Sequence, residues 1–178
     1  MDGLRATNCQ PLLDRFLAKD LAESPYSEAD STEENYLGPK TSRMYELYIP
    51  APATHERAEA FLYHNATRNF FAWIFGKSLV GNHLGGALVG LFNSMTQFRS
   101  SGEDNVQAIM DYMDEEGYAD MRGQPDHALA ILFFAEHFHF RDLWIDAFAH
   151  CSGMNEKLIN SPGFEVIFSV PNIRSNHC

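Results

Sequence analysis

The chain is expected to fold as an all-α domain: a compact antiparallel bundle or short α-solenoid of about six or seven helices with little or no sheet. Apolar residues recur at helical spacing from Ala58 to Met154. Helix-start residues stand before several of these stretches. Alternating, β-branched strand patterns are nearly absent, and the implied loops are short enough to make successive helices neighbours.

From the start, Leu12, Leu13, Phe16, Leu17 and Leu21 give helical spacing over Pro11 to Glu23, with Pro11 suited to a first turn. Ser24-Pro25 ends that helix. Asp20 to Glu34 holds six acids and no base, so it buries too little surface to offset ordering and reads as a mobile linker. Ser27 and Ser31 each have an acid three residues on, a context for an acidic-site kinase or simply a solvated linker. The resulting division is 1–43 (N-terminal helix plus acidic linker, loosely attached before about Thr41), 44–170 (helical domain) and 171–178 (polar tail).

Met44 to Ile49 reads as an extended segment on the core, ended by Pro50-Ala51-Pro52. Thr54 suits an N-cap for a helix from about His55 to Phe75, with Phe61, Leu62, Ala66, Phe70 and Ile74 inward and the aromatic run Phe70–Phe75 buried on most sides. Gly76 to Gly81 forms a corner. Leu84, Ala87, Leu88, Leu91, Phe92, Met95 and Phe98 then mark a second helix. Gly85, Gly86 and Gly90 inside it each cost up to ~1 kcal/mol relative to alanine, so close packing is expected there, with another backbone approaching across Gly86 and Gly90.

Asp104 suits an N-cap before Val106, Ile109, Met110 and Met113, and Gly117 closes that helix. Pro125-Asp126 opens the next, whose run Leu129–Phe138 is apolar nearly all round and is expected at the centre. Arg141-Asp142 starts another with Leu143, Trp144, Ala147, Phe148, Cys151 and Met154 on one face. Phe164 to Val170 fits a strand or a short helix equally. With only polar residues after it, this run is expected to be an uncovered edge of an architecture that continues beyond the chain; the opposing reading folds it back as a last helix.

The block Arg68-Asn69-Phe70-Phe71-Ala72 with Gly76-Lys77-Ser78-Leu79-Val80-Gly81 resembles a family of fungal proteins of unknown function. So does the later block Pro125-Asp126-His127-Ala128-Leu129, Phe134-Ala135-Glu136, Trp144 and His150-Cys151. The likeness covers roughly Met44 to Phe168. Members tend to carry Pro where Ser78 stands and to continue past this chain's end. The resemblance implies no activity. Pro125 to Met154 is also similar to the helical hairpins of BTB-type adaptor domains, without that fold's strands.

The formal net charge of -11, from 24 acids against 13 bases, opposes a phosphate backbone, so no nucleic-acid partner is expected. The longest apolar run is broken by Lys77, Asn82 and His83, short of a membrane span. MDGLRATNCQ lacks an apolar signal core, and Cys178 stands too late for prenylation. Three scattered cysteines, Cys9, Cys151 and Cys178, fit reduced thiols in the cytoplasm or nucleus. Asn65-Ala66-Thr67 matches a glycosylation acceptor but has no secretory context.

Gly76-Lys77-Ser78 lacks the upstream glycine and entering strand of a phosphate loop. Gly81 to Gly86 fails the dinucleotide pattern likewise. His137 and His139 point about 200° apart on a helix and cannot share a metal unless the chain is extended there. Asp142, Asp146 and His150 share one helical flank at i, i+4, i+8; acids near the start and a histidine near the end first of all suit the helix dipole, and the same flank could supply a carboxylate–imidazole pair or metal ligands. Cys151 falls on the apolar face and reads as a small core residue. No cofactor is expected. Two functions follow: a non-catalytic helical module binding another protein, or a small hydrolase or metal-dependent enzyme using the Asp142/Asp146/His150 flank. The oligomeric state is left open.

Overall fold

A computed structural model describes residues 2–17, 47, 49–50 and 57–168. Among them lie nine helices and no strand: α1 Asp2–Ala6, α2 Gln10–Phe16, α3 Arg57–Ile74, α4 Leu84–Phe98, α5 Asn105–Glu115, α6 Pro125–Phe138, α7 Arg141–Met154, α8 Glu156–Ile159 and α9 Pro162–Phe168. The protein is an all-α helical bundle.

Helix α6 is the centre. Ala128, Leu129, Ala130, Ile131, Phe134 and Ala135 are all buried, and α4, α7, α8 and α9 pack around it. Pro125 occupies its first turn, where the missing N–H costs nothing. His139 closes it in the left-handed conformation (φ 58°), and the chain reverses within two residues into α7. The reversal brings Phe138 and Phe140 beside Phe92 and Phe134, an aromatic cluster with ring centroids 4.7–5.9 Å apart. Asp104 caps α5 by accepting the Gln107 N–H at 2.9 Å.

Several expectations need correction. Residues 2–17 are not loosely attached. Leu4, Cys9, Leu12 and Leu13 are buried in the common core, and the Phe16 ring meets Phe98 edge-on at 6.1 Å. Arg99 adds a polar staple: its guanidinium group donates to the Thr7 carbonyl (3.1 Å), Asn105 (2.6 Å) and Glu103 (3.0 Å) and lies 5.2 Å over the Trp73 ring. Spacing alone did not reveal this docking, because its partners lie about ninety residues away. The acidic stretch, Thr54 and the polar tail fall outside the described residues. Leu47 does pair with Leu17 in an isolated antiparallel bridge, and Leu47 and Ile49 pack on the core.

Phe61 and Leu62 of α3, expected inward, are 53% and 63% exposed, and Phe75 is exposed as well. Helix α3 is buried at its C-terminal half alone, where Phe70 packs on Phe98 with centroids 5.3 Å apart. Of the two readings of the C-terminal apolar run, the helix is found: α9 lies on α6, and Phe164 packs against the core rather than forming an uncovered edge. Ser161, itself buried, donates to Asp126 at the start of α6 and accepts the Gly163 N–H, which ties α9 to the central helix.

The N-terminal docking has a direct test. Replacing fully buried Leu12 with Ala should cost about 2–5 kcal/mol of unfolding free energy in urea titrations. A loosely attached segment would lose almost nothing.

Candidate functional site

The corner between α3 and α4 is built first. Gly76 (φ 55°) ends α3, and the Lys77 N–H reaches back to the Ala72 carbonyl at 2.8 Å, a glycine-dependent helix stop. Residues 77–80 then run without regular structure, so their backbone groups need partners from elsewhere. Asn69, fully buried on α3, supplies two: its Oδ1 accepts the Val80 N–H (2.9 Å) and its Nδ2 donates to the Val80 carbonyl (2.8 Å). From α5 and the turn after it, the Tyr112 hydroxyl donates to the Lys77 carbonyl (2.6 Å) and the Tyr118 hydroxyl accepts the Leu79 N–H (2.9 Å). Ser78 donates to Glu116 at 2.8 Å. Burial pushes the Tyr112 pKa well up, so this phenol stays a donor. The amides of Leu79 and Val80 are thus committed, and no strand enters the loop; the corner is a clamp rather than a phosphate cradle.

Beyond the clamp a groove of about 340 Å³ opens between α3 and α4, with Phe133 and His137 of α6 at one side. Leu62 and Ala66 line it from α3, and Gly86, Ala87, Val89 and Gly90 from α4. Its polar groups among the described residues are Asn65, Asn69, Asn82 and the two imidazoles, with no Asp, Glu, Lys or Arg among them.

His83 is the best-defined polar group. It is the N-cap of α4, and its Nδ1 accepts the Gly86 N–H at 3.0 Å. A backbone N–H can only donate, so Nδ1 is unprotonated and the neutral ring carries its proton on Nε2. The ring meets Phe133 edge-on, centroids 5.5 Å apart, and Phe133 stacks with His137 at 6.5 Å. Burial lowers the His83 pKa below its ordinary value of 6.5, which favours this neutral form.

The three glycines have separate surroundings. A Cβ on Gly85 would meet Phe133 at 3.0 Å and the Ala130 backbone at 3.3 Å. One on Gly90 would meet Ala66 at 3.2 Å. One on Gly86 would strike the His83 ring at 2.8 Å, so Gly86 makes room for its own helix cap rather than for a neighbouring backbone.

Asp142 and Asp146 are exposed on α7, and Asp146 lies 4.0 Å from His150 Nε2. None of the three lines the groove. Among the described residues no group of three or more His, Cys, Asp or Glu side chains is placed to hold a metal ion. Cys9 and Cys151 are buried free thiols whose pKa values burial raises, which makes them poor nucleophiles. No described helix is long and apolar enough to cross a membrane.

Fold and groove together define a helical domain with an apolar surface cleft. A model of the family described as Domain of unknown function (DUF8004) matches residues 106–174, under half of the chain. That span includes the Pro125–Cys151 block and the α6 wall of the groove; the α3 and α4 walls lie outside it. No curated protein and no solved structure matches the chain.

Asn69→Leu should lower stability by about 1–3 kcal/mol in denaturant titrations, because it strands the Val80 N–H and carbonyl. His83 adds a pH dependence. Its folded-state pKa is depressed, so its contribution is present above pH 6.5 and is lost as pH falls through the lowered value. Asn caps without titrating. The urea midpoint of His83→Asn should therefore gain on that of the unmutated protein between pH 7 and pH 5.

Proposed function

We propose that this chain is a non-catalytic helical module that binds another protein in the groove between α3 and α4. One observation carries the reading: a groove of about 340 Å³ with no charged residue among those lining it, where Leu62 of the lining and its chain neighbour Phe61 stand more than half exposed. Clustered apolar exposure of this kind marks interaction surfaces. The alternative is a hydrolase or metal-dependent enzyme on the Asp142/Asp146/His150 flank. It is less well supported, because Asp142 and Asp146 stand exposed on α7, His150 is half-buried, and none of the three lines the groove. The proposed compartment is the cytoplasm or nucleus, in keeping with two buried free thiols. A macromolecular partner of strong negative charge does not suit a net charge of -11.

The test is a photoreactive benzoylphenylalanine at position 61 of the full chain, illuminated in the native cell. It should crosslink one discrete protein. Leu62→Lys, an exposed substitution with little effect on stability, should reduce that yield at least tenfold. Equal crosslinking by Leu62→Lys, or no discrete product, would overturn the proposal. Substrate turnover abolished by Asp146→Asn would support the enzyme instead.

A further inference from the structure

The first turn of α4 is held by little besides its cap. A helix start leaves its first backbone N–H groups without helical partners. This one opens Leu84-Gly85-Gly86, and glycine is the costliest helix residue after proline. No acid stands in the first turn to face the positive end of the dipole. The Gly86 N–H goes to His83 Nδ1 at 3.0 Å, and the Ala87 N–H goes to the His83 carbonyl at 3.2 Å. Both bonds run to one residue, and a Cβ on Gly86 would strike the ring that makes the first of them. Further along, the helix is anchored by burial instead: Leu88, Leu91, Met95 and Phe98 lie in the core.

The cap exists only while the ring is neutral. A proton on Nδ1 turns the acceptor into a donor facing another donor, and it sets a positive charge at the positive end of the helix dipole. The ring is half-buried rather than enclosed. Few titratable or charged groups face it among the described residues. Helix α4 carries none, and neither do the α3 and corner residues that line the groove. Helix α6 supplies His137 alone, stacked on the same Phe133 that meets His83 edge-on. We propose that His83 is a proton-operated latch on the α4 edge of the groove: the first turn is closed while Nδ1 accepts the Gly86 N–H, and it opens when the ring takes up a proton. His83, Gly86 and Ala87 all line the groove, so opening the turn changes the groove's shape as well as the helix start. Burial depresses the folded-state pKa, so the closed turn is fully present above 6.5 and is lost as pH falls through the lowered value. The latch concerns the shape of the groove and holds whatever binds there.

The full ¹⁵N-labelled chain, titrated by NMR from pH 7.5 to pH 4.5, tests this. The His83 ring nitrogens are read together with amide exchange protection along α4, corrected for the intrinsic pH dependence of exchange. At pH 7.5 the ring should carry its proton on Nε2 and none on Nδ1. As the ring titrates, protection at Gly86 and Ala87 should fall about tenfold, while Leu91 and Met95 keep theirs. His83→Asn, whose cap does not titrate, should hold its protection constant over the range. His137→Gln should behave as the unmutated protein does. Four results on the unmutated protein overturn the proposal even if a variant fails to fold: a proton on Nδ1 at pH 7.5, a ring still neutral at pH 4.5, unchanged protection at Gly86 and Ala87 through the His83 titration, or a loss shared equally by Leu91 and Met95. The same loss in His83→Asn, or its absence in His137→Gln, overturns it as well.

Discussion

Helix α6 carries Ala128, Leu129, Ala130, Ile131, Phe134 and Ala135 around most of its circumference, so water has to be removed from it on several sides at once. At about 1.5–3 kcal/mol for each large side chain taken out of water, this one helix is worth more than any polar contact in the molecule. No single neighbour covers such a helix. Helix α4 takes one side, α7 folds back on another through the His139 turn, and α8 and α9 close further ground. The left-handed His139, the Phe138–Phe140 pair and the Ser161–Asp126 hydrogen bond are the local means by which chain reversals keep these elements against α6.

The α3–α4 corner answers a different constraint. Residues 77–80 have no regular structure, so their backbone polar groups need partners. The chain supplies them from two directions: Asn69 from α3, and Tyr112 and Tyr118 from α5 and the turn that follows. These contacts span 11 to 39 residues of sequence. They fix where α4 begins, hence where His83 stands at the groove. A corner held by apolar contacts alone would leave that geometry soft; buried polar pairs give it one arrangement.

What was legible in the sequence is what local spacing encodes. Asp104, Pro125, Gly117 and Gly76 mark helix ends through chemistry confined to one turn, and Cys151 falls in the core because its helix has one apolar stripe. What was not legible depends on partners distant in sequence. Phe61 and Leu62 share helical spacing with Phe70, yet periodicity assigns a face and not the length over which a neighbour covers it. The docking of residues 2–17 draws on Phe98, which meets Phe16, and Arg99, which donates to Thr7, both far along the chain. His83 was passed over because imidazole is an uncommon cap. The pairing His83-x-x-Gly86, an acceptor three residues before a position without Cβ, was the available signal.

The family match covers one side of the groove and not the other. Residues 106–174 contain α6 and its packing partners α7 to α9, a cluster organised around one buried helix. They contribute Phe133 and His137 to the groove, whereas Leu62, Asn69, His83, Gly86 and Gly90 come from α3, the corner and α4. The matched span therefore supplies the scaffold and one wall of the groove, and most of the groove's lining lies outside it. Phe133 joins the two, because it touches His83 edge-on and fills the space that Gly85 leaves open. A larger residue at position 85 would push α4 away from α6 and move the His83 cap with it. The position of the His83 ring is accordingly set by core packing on the matched side, and this couples a groove assembled from distant stretches to the one helix that every neighbouring element is built to cover.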